Sequence, residues 1–182
     1  MRVIAGRYRS RKLKSVPGMA VRPTPDRLRE TLFNVLASRI PGKVFLDAYA
    51  GSGAVGIEAL SRGAKQVILI ERKPAAVAVI RENLASLAIT GGVTVVRGSA
   101  SVLLPNYPAD IAFIDPPYDQ LSEYAGALIA LSATECSIAI AQHASRVNLE
   151  NRYGALTKTR VLKQGDNSLT FYERLPASGE CP

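Results

Sequence analysis

The feature that most constrains the fold is an alternation, from residue 43 onward, between short apolar runs and segments of helical periodicity. Such alternation is typical of βαβ units, in which crossover helices cover both faces of a parallel sheet. The last two runs are separated only by residues 164–167, so a hairpin is expected to end the sheet with an antiparallel strand. The chain is therefore expected to have an α/β fold. The runs predict seven strands, near 44–48, 67–71, 93–96, 110–114, 137–142, 156–163 and 168–174, and helices near 54–62, 74–88, 99–104 and 120–131.

A glycine-rich turn follows the first predicted strand. Gly51, Gly53 and Gly56 have the spacing of the dinucleotide fingerprint, and Glu71 stands at the end of the second predicted strand. Glycines at such a turn let a ligand approach the main chain where side chains would collide. The spacing leaves an NAD or FAD enzyme open. Asp47, four residues before Gly51, instead favours a ligand with an ammonium or amino-acid group.

Several further candidates lie at the predicted carboxyl ends of strands, where open α/β sheets bind their ligands. Glu71 is expected to accept hydrogen bonds from ribose hydroxyls, and Ser99 stands where a side chain would contact an adenine. The sequence therefore predicts one cofactor-binding rim. Its candidate residues are Asp47, Tyr49, Gly51, Ser52, Gly53, Glu71, Arg72, Ser99, Ala100 and Asp115.

The sequence Asp115-Pro116-Pro117-Tyr118 directly follows the apolar run of residues 111–114. An exocyclic amine on a nucleobase is a poor nucleophile, so an enzyme that methylates it must accept its N–H hydrogen bonds and fix its direction. Asp115 supplies a carboxylate, and the two prolines lack an amide N–H and can leave carbonyls facing the amine. Tyr118 can stack on the base. We interpret these four residues as a catalytic set, and a rigid turn that closes the strand is the alternative.

The net charge of +8 is concentrated at the N-terminus. Residues 1–30 contain nine Lys or Arg and two acidic residues, which accounts for +7 of this charge. A cationic segment of this kind attracts polyanions through phosphate contacts and counterion release. The alternative is a solvated basic tail without a specific partner.

The N-terminal segment is expected to form a basic β-arm of one or two short strands within residues 2–16, carrying Arg7, Arg9, Arg11 and Lys12. A helix should follow, with Thr24 as its N-cap. We expect the arm to occupy residues 1–21, a single catalytic domain residues 22–176, and a disordered tail residues 177–182. Two cysteines and the lack of a long apolar segment favour a soluble protein of the cytoplasm.

These motifs resemble the class I S-adenosylmethionine-dependent methyltransferases, with their Rossmann-like sheet, and more narrowly the bacterial 16S rRNA guanine-N2 methyltransferases of the RsmD type. The resemblance runs through residues 2–6, 22–34, 46–53, 56–64 and 115–118, and residues 22–34 are its most specific part. Ser99 departs from the Asp often found there in related enzymes. Gln142 and His143 stand where an acidic residue would be expected, and His143 is interpreted as structural.

The resemblance implies methyl transfer from S-adenosylmethionine to the N2 amine of one guanine in 16S rRNA, either naked or in a small-subunit assembly particle, by a monomer without a metal. It implies that a loop or flipped guanine meets Tyr118. Phosphates would contact the arm, Arg22 and Arg27, with Thr24 also near the substrate. A DNA adenine or protein glutamine target, an NAD enzyme and an RNA-binding module without catalysis remain alternatives.

Overall fold

The computed structural model describes residues 1–17, 26–117 and 120–175. The predicted positions Arg22, Thr24 and Tyr118 and the predicted tail 177–182 lie outside these residues, as does the predicted boundary between residues 21 and 22. The strands are β1 (Val44–Asp47), β2 (Gln66–Glu71), β3 (Val93–Arg97), β4 (Ile111–Ile114), β5 (Ile138–Ala144), β6 (Arg152–Tyr153), β7 (Leu156–Gln164) and β8 (Asn167–Arg174). The helices are α1 (Asp26–Val35), α2 (Ala54–Ser61), α3 (Pro74–Ser86), α4 (Ala100–Leu103) and α5 (Leu121–Ser132), with a 3₁₀ turn at Leu104–Asn106.

Within the described ranges, the strands form one eight-stranded sheet in the order β3-β2-β1-β4-β5-β8-β7-β6. The five strands from β3 to β5 run parallel, with β1 and β4 at the centre of this part. All four residues of β4 are buried, as are the last three of β1. This burial explains why both strands are continuous apolar runs rather than alternating ones. The predicted α/β class and mostly parallel sheet are confirmed.

The far part of the sheet is antiparallel. β8 pairs antiparallel with β5, and β7 and β8 form the predicted hairpin across Gln164 and Asn167. The predicted number of seven strands is wrong by one, because Arg152 and Tyr153 form a short additional strand against β7. A two-residue strand is too short to produce a recognisable alternation. The predicted helix at 99–104 is also shorter, since α4 gives way to a 3₁₀ turn that contains Pro105.

Helices cover both faces of the sheet, as predicted. α1, α2 and α3 pack on one face in a core that includes Leu32, Phe45 and Phe113. α4 and α5 pack on the other face around Ile114, Leu128 and other buried residues. No helix among the described residues is long and apolar enough to cross a membrane. The two packed faces leave the ends of the strands as the edge that is open to ligands.

The N-terminal arm, residues 1–17, is a turn-rich loop rather than a regular hairpin. Its strands pair only at a single antiparallel bridge between Arg2 and Lys12. Val3 and Leu13 are buried against α2 and α3, where they contact Ile57 and Leu87 in a small separate cluster. The prediction of one or two strands was therefore too regular, because the apolar residues of the arm pack on helices instead of on a partner strand.

Candidate active site

A cavity of about 310 Å³ opens at the carboxyl ends of the parallel strands. The glycine-rich loop after β1, the ends of β2 and β3, and the segment after β4 all contribute to its wall. Every predicted cofactor-binding residue except Gly53 lines this cavity, and so do Pro116 and Pro117. The predicted residues in the wall are Asp47, Tyr49, Gly51, Ser52, Glu71, Arg72, Ser99, Ala100, Asp115, Pro116 and Pro117.

The glycine-rich loop needs glycine for two different reasons. Gly51 and Gly53 have φ angles of +54° and +80°, in the left-handed region that other residues rarely adopt. Gly56 lies at the start of α2, where an added Cβ would be 2.2 Å from Cδ2 of Leu69 on β2. The first two glycines therefore shape the turn, while Gly56 allows close packing of helix on strand, which is the role of the third glycine in the fingerprint.

Asp47 lies beneath the glycine-rich loop and is 1% exposed. Its carboxylate accepts a hydrogen bond of 3.2 Å from the amide of Gly56. The pKa of Asp47 is raised to about 7, mainly by burial and in smaller part by the negative charge of Glu71. The contacts make Asp47 a support for the loop, and its predicted hold on an ammonium group stays a prediction.

Glu71 ends β2 and links two pieces of backbone at the cavity edge. One carboxylate oxygen accepts the amide of Gly51 at 2.9 Å, and the other accepts the amide of Lys73 at 2.8 Å. Each oxygen can still accept a second hydrogen bond, since a carboxylate oxygen has two lone pairs. The side chain is thus fixed in position and retains acceptors for a diol at the cavity.

Tyr49 meets a residue that the sequence did not indicate. Its hydroxyl donates a hydrogen bond of 2.7 Å to Glu123, which lies in the first turn of α5 and also lines the cavity. Burial and this hydrogen bond raise the pKa of the Tyr49 hydroxyl. Glu123 looked like an ordinary acidic residue near a helix start, and only the contact across the fold reveals it.

Asp115 and Pro116 lie directly beyond β4, on the same rim as the glycine-rich loop. Asp115 is half-buried and Pro116 is buried. The Pro117 carbonyl accepts the amide of Gln120 at 2.9 Å, so one of its two lone pairs is already in use. The segment therefore places Asp115 and both prolines in the wall of the same cavity.

Two further predicted residues have local polar contacts. The Ser99 hydroxyl lies 2.9 Å from that of Ser101, and its contact with an adenine stays a prediction. His143 is 3% exposed and lies 2.7 Å from the Thr170 hydroxyl and 2.9 Å from the Ala144 carbonyl. Burial lowers the pKa of His143. These interior contacts suit the structural role expected for His143.

The predicted substrate-binding cations that the structure describes are exposed and lie outside the cavity wall. They are Arg7, Arg9, Arg11 and Lys12 on the arm and Arg27 on α1. Three residues of the arm nevertheless reach the cavity, namely Met1, Ser15 and Val16. The arm therefore presents cations to solvent and apolar and small residues to the site.

The sheet order, the glycine-rich loop after β1 and the Asp-Pro-Pro segment after β4 define a Rossmann-like fold of the methyltransferase class. A family model described as Conserved hypothetical protein 95 matches residues 1–173. The chain belongs to this family, the RsmD family of methyltransferases.

Three known proteins illustrate the similarity. "Putative rRNA methyltransferase YlbH" of Bacillus subtilis is 34% identical over 96% of this chain and 99% of its own length. "Ribosomal RNA small subunit methyltransferase D" of Escherichia coli is 45% identical over 65% of this chain and 60% of its own length. A solved Escherichia coli structure, "Putative methyltransferase yhhF", matches with a TM-score of 0.80 and 35% identity over 96% of this chain and 97% of that one.

Proposed function

We propose that this protein transfers a methyl group from S-adenosylmethionine to the exocyclic N2 amine of a guanine in 16S rRNA. The observation that carries the proposal is the cavity itself, because the glycine-rich loop and Asp115 contribute to one wall. A donor held along the loop and an amine held by Asp115 would therefore share one space. Alignment of donor and acceptor in such a space supplies a large part of the rate acceleration.

The residues of the cavity suit S-adenosylmethionine. Glu71 has acceptors for the ribose hydroxyls, and a ligand can approach Gly51, where an added Cβ would meet nothing within 4 Å. Asp47 and Ser52 would lie near the amino-acid end, and Ser99 and Ala100 near the adenine. Bound there, S-adenosylmethionine supplies a methyl group that its positively charged sulfur makes electrophilic.

The chain's own contribution at the other end is to hold the amine and stabilise charge. The Asp115 carboxylate and neighbouring main-chain carbonyls would accept hydrogen bonds from the N–H groups of the amine and direct its nitrogen along the cavity. Positive charge would develop on that nitrogen as it bonds to the methyl carbon and the carbon–sulfur bond breaks, and the methylated amine would then lose a proton to water. A fixed carboxylate stabilises this charge more in a partly buried site than in water, which lowers the barrier.

Ribosomal RNA is the substrate that the relatives and the charge favour together. The Bacillus subtilis relative is named as an rRNA methyltransferase, and the Escherichia coli relative as a small-subunit one. The exposed cations of the arm suit phosphate contacts. A guanine must leave its helical stack to reach the cavity, and Tyr118 is the proposed stacking partner for the flipped base.

Calorimetric titration and a methylation assay test the proposal. We expect S-adenosylmethionine to bind and NAD not to bind, and we expect radioactive methyl groups to enter small-subunit RNA at guanine. Duplex DNA in parallel reactions tests the adenine alternative. Tight NAD binding without S-adenosylmethionine binding would exclude the proposed reaction. Loss of one methylated guanine from the rRNA of cells that lack the protein identifies the site.

A further inference from the structure

The main chain of the arm makes several contacts with the body of the protein, in addition to the side-chain contacts of Arg11 with the Ser86 carbonyl and of Lys14 with Glu82. On α2, Glu58 is fully buried and accepts the amides of Ile4 at 2.7 Å and Ala5 at 3.0 Å. The Ser61 carbonyl on the same helix accepts the amide of Arg7 at 2.8 Å. Gly6 passes so close that an added Cβ would lie 1.9 Å from the Ser61 carbonyl oxygen. The path of the arm is therefore fixed while its charged side chains remain exposed.

A second attachment joins the arm to the glycine-rich loop through one side chain. Asn83 on α3 is 1% exposed. Its oxygen accepts the amide of Lys14 at 2.8 Å, and its nitrogen donates to the Lys14 carbonyl at 3.1 Å. The same nitrogen donates to the Ser52 carbonyl at 2.9 Å. Both N–H groups of this amide are thus in use, one toward the arm and one toward the loop.

The residues directly after Lys14 belong to the cavity. Ser15 and Val16 line it together with Gly51 and Ser52, so the arm and the loop form adjoining parts of one wall. A ligand in the cavity contacts both parts. A polyanion on the exposed cations of the arm would bind the same segment whose last residues complete the cavity wall.

From these contacts we infer that Asn83 is a positioning residue that couples RNA binding on the arm to methyl-donor binding in the cavity. This inference rests on the proposed function. Each ligand favours the arrangement in which arm, Asn83 and loop are joined, so each raises the affinity of the other. Linkage requires the two effects to be equal. The coupling ensures that the donor is held most tightly when the nucleic acid is in place.

The test measures the affinity for S-adenosylhomocysteine, the unreactive product, by calorimetry with and without a saturating single-stranded RNA that contains guanine. In the parent protein we expect RNA to raise this affinity by about fivefold or more, the lower range of allosteric couplings. In Asn83→Ala we expect the ratio to fall to near one. A merely structural role would lower both affinities and leave their ratio unchanged.

Glu82→Gln is the matched control. Glu82 precedes Asn83 and pairs with the Lys14 ammonium at 2.8 Å on the surface, so this change removes a side-chain contact to the same arm residue but leaves the three amide hydrogen bonds. Its coupling ratio should equal that of the parent. Asn83→Asp is a second variant, which keeps the acceptor for the Lys14 amide and loses both donors. It should also lose the coupling.

The outcomes separate the coupling from the proposed reaction. If S-adenosylhomocysteine does not bind at all, the proposed function fails. If it binds equally with and without RNA in the parent, the coupling is refuted while the proposed function stands. If both Asn83 variants keep the parent ratio, the assignment to Asn83 is wrong. Folding of each variant is checked by its thermal unfolding transition.

Discussion

The cavity rim at the carboxyl ends of the strands and the N-terminal arm present charged groups to ligands in opposite ways. At the rim, Asp47 and Glu71 are buried carboxylates that accept hydrogen bonds from main-chain amides. On the arm, the cations Arg9 and Lys12 are exposed to solvent. Buried groups fixed by hydrogen bonds define geometry, whereas exposed charges attract a polyanion with little dependence on its sequence.

This difference assigns separate roles to the two regions. Chemistry and discrimination should depend on single atoms of the rim, so one substitution there has a large effect. Affinity for nucleic acid should depend on the summed charge of the arm, so each cation has a small effect. Three experiments test the division, in order of decreasing expected effect.

The largest effect is expected from Asp115→Ala. Removal of the carboxylate takes away the acceptor that holds the amine and stabilises its developing charge, so turnover should fall by about 10²–10³-fold. The affinity for S-adenosylmethionine should remain largely intact. Single-turnover methylation of rRNA and calorimetry measure the two quantities separately.

Asp110→Asn is the control for this change, because Asp110 lies at the opposite end of β4. Its carboxylate accepts the amide of Val44 at 2.8 Å and pairs with Lys43. Turnover of this variant should match that of the parent. Normal turnover in Asp115→Ala would contradict the role of Asp115 in holding the amine.

A smaller effect is expected when the arm loses charge. Replacing Arg7, Arg9, Arg11 and Lys12 together by Ser should weaken RNA binding and reduce the slope of log affinity against log salt by about 3, at roughly 0.7 for each lost contact to a single strand. Filter binding over a range of salt concentrations measures the slope. The charge-matched control replaces four exposed cations outside the arm, Lys65, Arg146, Arg160 and Lys163. Equal changes in both variants would refute a special role for the arm.

The smallest effect concerns Asp47, whose pKa lies at about 7. Between about pH 6 and about pH 8 its ionised fraction rises from about one tenth to about nine tenths, so a cationic donor should bind up to about tenfold more tightly at the higher pH. The stability of the unliganded protein should change in the opposite direction and fall as the pH rises. A carboxyl pKa raised above its usual 3.8 stabilises the fold at low pH, and this contribution is lost as pH rises toward 7.

Calorimetry and thermal unfolding at the two pH values check both trends. Asp47→Asn keeps an acceptor for the Gly56 amide but cannot titrate, so it accounts for the ligand's own ionisation. If the parent and this variant show the same pH dependence of donor affinity, the ionisation of Asp47 does not control binding.

The sequence predicted those parts of the fold that depend on local pattern. The buried strands β1 and β4 are apolar runs between turn residues, and their ends agree with the prediction to within a residue or two. The arm was predicted less well. Ser10 has a φ of +66°, and Val3 and Leu13 pack on helices, so the apolar residues of the arm serve its docking on the helices rather than strand pairing.

The candidate site was likewise predicted where it depends on local pattern and missed where it depends on distant contacts. The general tendency of parallel sheets to bind ligands at their carboxyl ends was enough to bring Glu71, Ser99 and Asp115 to one cavity. Glu123 and Asn83 were missed because their partners are distant in sequence, and Asn83 is separated from Lys14 by 69 positions. An Asn within a helical pattern carries no local sign of such a contact.

The close passage of Gly6 over Ser61 has a consequence for the diversity of such proteins. A β-carbon at residue 6 would collide with main-chain atoms of α2, which cannot move aside as a flexible side chain could. The neighbouring cations face no such obstacle. The arm could therefore be recharged to suit a different nucleic acid by many combinations of substitutions, while its course across the protein depends on one hydrogen atom in place of a methyl group.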